Sequence, residues 1–197
     1  MATNTQANIG FEKQIWDAAC VLWGHIPAAD YLKVLIGLIF LRYISDAFER
    51  RYKELVKEGD GFEDDPDAYL MDNIFFVPEE ARWSTISSAA HTPEIGKVID
   101  TAMRSIEAEN KTLKGVLPTI YANPDLDKQV LGDVVDIFTN VDMGDAEQSK
   151  DLLGRTYEYC IAQFASFEGK DGGEFYTPAS VVKTLVEILK PLRTCRL

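Results

Sequence analysis

The 197-residue chain carries 32 acidic against 20 basic side chains, a formal net charge of −12, and is 46% hydrophobic. That length and apolar share suit one packed domain, or one domain plus part of another, and argue against disorder. So acidic a surface repels phosphate overall and excludes a stand-alone nucleic-acid wrapper, while leaving room for a local basic face. Cys20, Cys160 and Cys195 are far apart and not at metal-ligand spacing, which fits reduced thiols in a cytoplasmic protein without a metal site. No basic segment followed by an apolar one opens the chain, so no signal peptide is expected.

Residues 1–8 are polar and expected to fray. Phe11, Ile15, Ala18, Ala19 and Leu22 then recur at helical spacing, predicting a first helix to about Gly24 with Trp16 and Trp23 in the core. A long helix over residues 28–57 is expected to organise the rest. Pro27 suits its opening, and Gly59-Asp60-Gly61 closes it. Its stretch 34–41 has no polar side chain on any face and should therefore be covered on all sides. Lys33 and Arg42 bracket too short a run for a membrane span, which needs about 20 apolar residues. Beyond Arg42 the apolar positions narrow to Ile44, Ala47, Phe48, Tyr52 and Leu55, with Glu49, Arg50, Lys53 and Glu54 facing water.

The acidic stretch 61–67 lacks the alternate-position spacing of a calcium loop and reads as a solvated connection. Residues 68–71 form a helical turn, 74–77 a brief strand or extended chain stopped by Pro78, and 78–83 another short helical segment. Thr92-Pro93 sets up a cap and first-turn proline for a helix carrying Ile95, Val98, Ile99, Ala102, Met103 and Ile106. Asn123-Pro124 repeats the device for Leu126, Val130, Leu131, Val134 and Phe138, with Asp125 and Asp127 at the positive helix end. After an acidic linker, a helix over 149–167 buries Leu152, Leu153, Tyr157, Cys160, Ile161 and Phe164. His25 and His91 lack partners suited to catalysis and are read as structural. The sum is a mainly α domain of five or six helices, built round one long buried helix.

One stretch near the end points to chemistry: Gly172-Gly173-Glu174-Phe175-Tyr176-Thr177-Pro178-Ala179-Ser180-Val181-Val182. The glycines permit a sharp turn, Phe175 and Tyr176 place rings on the loop, and Thr177 caps a helix whose first residue is Pro178. The free N–H groups and dipole of that helix end suit a carboxylate, with an aromatic ring beside the ligand. Taken by itself, a capped turn of this kind more often starts a helix than holds a ligand.

These residues resemble the opening segment of adenine-specific DNA methyltransferases. Phe40-Leu41-Arg42-Tyr43-Ile44-Ser45-Asp46-Ala47-Phe48-Glu49 resembles the N-terminal helical domain of the modification subunit of type I restriction-modification systems. So do Leu22-Trp23, Val77-Pro78-Glu79-Glu80-Ala81-Arg82-Trp83 and Leu113-Lys114-Gly115-Val116-Leu117-Pro118, all in the family's order. The resemblance implies a helical domain over residues 9–168. It also implies the start of an S-adenosylmethionine-dependent methyltransferase domain over 169–197, ending at the opening helix of a truncated α/β fold. Glu174, Phe175, Tyr176, Thr177, Pro178 and Ala179 become candidate cofactor-binding residues.

The reaction implied is methyl transfer from S-adenosylmethionine to the exocyclic amine of a flipped-out adenine. The family's catalytic Asn-Pro-Pro-Phe or Asp-Pro-Pro-Tyr and its glycine-rich cofactor signature do not occur here: Asn123-Pro124-Asp125 and Asp65-Pro66-Asp67 have a single proline each. No residue is therefore assigned as catalytic, and these residues alone are expected to bind cofactor weakly and to be inactive. Implied partners are the specificity subunit, the restriction subunit and DNA through the complex, with self-association through uncovered helix faces. Arg42, Arg50, Arg51 and Lys53 are the candidate DNA or partner contacts. Interleaved Glu49, Glu54 and Glu58 favour instead a charged solvent face with internal pairs. A non-enzymatic helical interaction module is the alternative. An acidic DNA mimic is disfavoured, because the carboxylates are spread among loops and helix faces.

Overall fold

In the computed structural model the apolar run lies inside α1, a 31-residue helix spanning Ala28–Glu58. The structure describes residues 28–140, with side chains from residue 33, and the isolated helical positions Cys20, Thr184, Glu187 and Ile188. The chain divides into two compact units, Met1–Tyr157 and Glu158–Leu197. Of the second unit, the three described residues are exposed. The expected helices over 11–24, 149–167 and beyond Pro178 fall otherwise outside the described residues.

Within α1, Val34, Leu35, Leu38, Ile39 and Leu41 are buried, followed by Ile44, Phe48 and Leu55. Coverage on all sides is not reached, because Ile36 and Phe40 keep partial exposure on one face. Gly59 ends α1 at φ +77°, a left-handed conformation that glycine adopts without strain, and its N–H donates to the Leu55 carbonyl at 3.0 Å.

Helix α2, Pro66–Leu70, starts at Asp65, whose side chain accepts from the Asp67 N–H at 3.0 Å. One of the loop carboxylates is thus a helix cap. The purpose of α2 in packing is to carry Tyr69 inward. Its ring stacks on Phe48 with centroids 4.6 Å apart, and Phe76 meets both edge-on at 5.5 and 5.3 Å. The Arg82 guanidinium covers Phe48 and Tyr52 at 5.2 and 4.9 Å, a cation over two rings. Burial pushes the Tyr69 phenol up to about 12.

Residues 74–78 are extended but form no strand, and no strand occurs among the described residues. Instead of a neighbouring strand, the buried Asn110 supplies the pairing. Its side-chain oxygen accepts from Phe76 N–H at 3.1 Å, and its amide donates to Phe76 and Ile106 carbonyls at 2.9 and 2.7 Å. One amide satisfies what a ladder would otherwise satisfy. A 3₁₀ turn, Glu79–Ala81, and helix α3, Trp83–Ser88, follow and pack on each other.

Both proline-marked helices begin later than expected. Helix α4 spans Ile95–Glu109 with Glu94 at its N-cap position, and Thr92 Oγ1 donates back to the Ala89 carbonyl at 2.8 Å rather than capping. Helix α5 spans Lys128–Thr139 with Asp127 as cap, accepting from Gln129 and Val130 N–H at 2.8 and 3.2 Å. Asn123 accepts from Asp125 N–H at 3.0 Å, so it closes a local turn upstream of the helix. The reason is shared: short polar side chains beside proline satisfy their own turn first, and helix starts one turn on. Of the apolar faces read from the sequence, Ile95, Ile99, Ala102, Met103 and Ile106 on α4 and Leu131, Val134 and Phe138 on α5 are buried, while Val98 and Val130 are half-buried at the edges.

Three polar ties lock these helices together. Trp83 sits at the junction of α1, α3 and α5: its N–H donates to buried Ser45 Oγ at 2.7 Å and its Nε1 donates to Thr139 Oγ1 at 2.9 Å. Arg42 lies over its ring at 5.5 Å. Asp100, buried on α4, accepts from the N–H groups of Tyr121 and Ala122, both at 3.0 Å. Tyr121 in turn reaches across to donate its hydroxyl to the Val34 carbonyl of α1 at 3.0 Å. Gly96 allows this approach, since a Cβ there would overlap the Tyr121 carbonyl.

The third tie is Glu107, which accepts from Leu117 N–H at 2.7 Å and so holds the turn after the 3₁₀ segment Lys111–Leu113. The Leu117 amide, helped by those of Gly115 and Val116, holds the Glu107 carboxyl below the ordinary glutamate range against partial burial. A lowered folded-state value gives stability that is fully present above the unfolded value near 4.5 and is lost as pH falls through the folded one. Glu107→Gln is therefore expected to unfold at lower urea concentration than wild type at pH 7, with the gap closing as pH drops toward 3. A gap independent of pH would rule this account out.

Candidate functional site

The six candidate cofactor-binding residues, Glu174, Phe175, Tyr176, Thr177, Pro178 and Ala179, lie outside the described residues. The four candidate contact residues of α1 are described, and their charges meet partners within the chain. Arg42 Nε lies 3.3 Å from Asp46 Oδ2, one helical turn on. Burial holds the Asp46 carboxyl above its usual range, and Arg42 opposes that shift. Arg51 gathers three carboxylates, with Asp72 at 2.9 Å, Glu58 at 3.1 Å and Glu54 at 3.3 Å. Lys53 is the most loosely held, 3.9 Å from Glu49 with its side chain 71% exposed. Arg50 sits close enough to Tyr43 and Asp46 to act on both electrostatically.

Arg50 and Arg51 border a shallow cleft of about 300 Å³ between α1 and residues 72–75, with Tyr43, Ala47, Ile74 and Phe75 as its apolar wall. Phe75 also meets Phe40 edge-on at 6.2 Å. The face is of mixed sign, with Glu54 and Asp72 beside the two arginines. Exposed pairs of this kind add about 0–1 kcal/mol each to stability, so they orient side chains more than they hold the fold.

A second charged surface escaped the sequence reading. Arg104, Glu107, Ala108, Lys111 and Lys114 line a cleft of about 340 Å³ on the outer side of α4 and the turn that follows it. Arg104, Ala108 and Lys111 recur at i, i+4 and i+7 in the sequence; Arg104 and Ala108 lie one turn apart on α4, and Lys111 and Lys114 continue the stripe at the start and the C-cap of the 3₁₀ segment beyond Asn110. That spacing was visible in the sequence. What the sequence did not show is that Glu107, in the middle of the stripe, spends its carboxylate on backbone amides rather than on the cations. Among the described residues no carboxylate pairs with Arg104, Lys111 or Lys114, and no helix is long and apolar enough to cross a membrane.

Residues 11–138 match the family described as the HsdM N-terminal domain, and residues 148–195 match the family described as N-6 DNA Methylase. The chain is 35% identical to the type I restriction enzyme MjaIX methylase subunit of Methanocaldococcus jannaschii, an alignment covering 91% of this chain and 35% of that protein. It is 34% identical to the type I restriction enzyme HindI methylase subunit of Haemophilus influenzae, over 58% of this chain and 30% of that protein. The chain thus spans about a third of the length of these curated relatives. In fold it is similar to the crystal structure of a type I restriction-modification system methyltransferase subunit from Streptococcus thermophilus. That match has a TM-score of 0.69 at 22% identity, covering 93% of this chain and 44% of that one.

Proposed function

Since the chain belongs to the HsdM N-terminal domain family, we propose that it is the N-terminal part of the modification subunit of a type I restriction-modification system. The observation that carries this reading is order: a helical unit matching that family precedes, on one chain, a segment matching N-6 DNA Methylase. The parent subunit transfers a methyl group from S-adenosylmethionine to the exocyclic amine of adenine in duplex DNA. It does so in a complex with a specificity subunit, which a restriction subunit joins, in the cytoplasm where the DNA is.

The helical unit serves assembly. Its mixed-sign face with Arg42, Arg50, Arg51 and Lys53 suits a protein partner, where charges of both signs fix register and discriminate partners. Glu174, Phe175, Tyr176, Thr177, Pro178 and Ala179 supply one wall of the cofactor site, the helix N-terminus facing the carboxylate end of S-adenosylmethionine. Catalysis needs the Asn-Pro-Pro-Phe type of pocket, which these 197 residues do not contain.

Two measurements test the reading. Purified chain alone, given labelled S-adenosylmethionine and adenine-containing duplex, is expected to transfer no methyl group; transfer above background would refute the division of labour. Calorimetric titration with S-adenosylmethionine is expected to give binding weaker than about 100 μM, a binding free energy less favourable than about −5.5 kcal/mol. A sub-micromolar dissociation constant would mean that the whole cofactor site lies within these residues.

A further inference from the structure

We infer that Arg104, Lys111 and Lys114 form a contact for the phosphate backbone of duplex DNA, an inference that rests on reading the chain as part of a DNA-modifying subunit. Most of the other described cations are already engaged within the chain. Arg42, Arg51 and Lys53 face carboxylates, Arg82 covers two aromatic rings, Lys128 donates to the carbonyls of Tyr121 and Asn123, and Lys57 and Lys97 stand singly on the surface without an ion pair among the described residues. Against that background, three exposed cations line one cleft of an otherwise acidic molecule, and no carboxylate pairs with them among the described residues.

The acid in their midst is engaged elsewhere. Glu107 faces the amides of the 115–117 turn, and its neighbour Glu109 does not line the cleft. Glu107 therefore shapes the turn that carries Lys114 while neutralising the cations only through space. Arg104 lies on α4 and Lys111 opens the 3₁₀ segment beyond its end, so the cations come from two elements around one cleft and each can take a separate phosphate.

Composition selects phosphate over an acidic protein surface. Lysine and alanine are depleted in protein interfaces, whereas lysine is a regular point-charge contact for phosphates. Among the described residues that line the cleft, the one uncharged side chain is Ala108, which offers a protein partner no apolar anchor. A patch of this kind positions DNA and reads no sequence.

The test uses the subunit that carries these residues, assembled with its specificity subunit, and the triple variant Arg104→Gln, Lys111→Gln, Lys114→Gln. Duplex affinity is measured against salt concentration. Three lost phosphate contacts should reduce the slope of log Kd against log salt by about 2–3 and weaken binding on the order of 100-fold at 0.1 M salt. Lys114→Gln alone should remove about 1 unit of slope, and Lys57→Gln, exposed at the far end of α1, should remove none. An unchanged slope in an assembled triple variant overturns the inference and leaves the functional reading standing. Loss of assembly, with the slope per assembled complex unchanged, also overturns it and assigns the patch to a protein partner. A wild-type assembly that neither binds nor methylates adenine-containing duplex overturns the functional reading and this inference together.

Discussion

Asp100→Ala is expected to lower the unfolding free energy of the chain by about 3–5 kcal/mol, since hydrogen bonds to a charged group are worth roughly 1.5–3 each and two are lost. The carboxylate is 3% exposed and is bonded by Tyr121 and Ala122 N–H at 3.0 Å each. Alanine leaves the buried Tyr121 amide without its acceptor, whereas that of Ala122 is only part-buried and nearer water. A second loss adds to this. Lys128, whose ammonium is held below its usual range by burial and drawn back up by Asp100 and Asp127, loses the stronger of these compensating charges.

Part of the effect is offset, because burying a carboxylate costs desolvation that alanine does not incur. Asp100→Asn separates the contributions. Its oxygen can accept from one amide while its NH₂ opposes the other, so it should recover about half of the loss. Urea titration measures both, and amide hydrogen exchange at Tyr121 and Ala122 should accelerate in step. A loss below about 1 kcal/mol for the alanine variant would mean that water replaces the carboxylate adequately.

Trp83→Ala is expected to cost about 3–5 kcal/mol, the range for removing a large buried aromatic. Trp83 is among the largest fully buried side chains, and it has polar ties on two sides, to Ser45 through its backbone N–H and to Thr139 through its indole. The Ser45 bond survives truncation, because it uses the backbone; the ring volume, the Thr139 bond and the Arg42 stacking do not. Thermal unfolding should shift down by on the order of 10 °C. Trp83→Phe keeps most of the apolar volume and loses the indole donor, so about 1–1.5 kcal/mol is expected. If the two variants melted together, the hydrogen bond to Thr139, not the packed ring, would be the main tie between α3 and α5.

Much of the fold was legible because helices are local. The apolar period of residues 95–106 and 126–138, the uninterrupted run 34–41 and the Gly59-Asp60-Gly61 stop all lie within a few residues of the effects they cause. The helix starts at 92–95 and 123–128 were misplaced by about a turn, because Thr92 and Asn123 serve local turns, a competition that sequence patterns do not rank. Of the candidate site residues, those at 174–179 rest on a motif and lie outside the described residues, and Arg104, Lys111 and Lys114 have no motif to mark them. Their spacing was plain, but whether a cation is free depends on where the nearest carboxylate points.

The amino-acid sequence by itself determined the family, the mainly helical class and the faces that are buried, since each follows from residue types at short spacing. Tertiary structure alone decided which distant groups satisfy one another: Asp100 with the amide of Tyr121 21 positions away, Asn110 with Phe76 34 away, Trp83 with Thr139 56 away. A buried polar group must find a partner wherever the packed chain brings one, and that place is set by how the helices pack, not by distance along the chain.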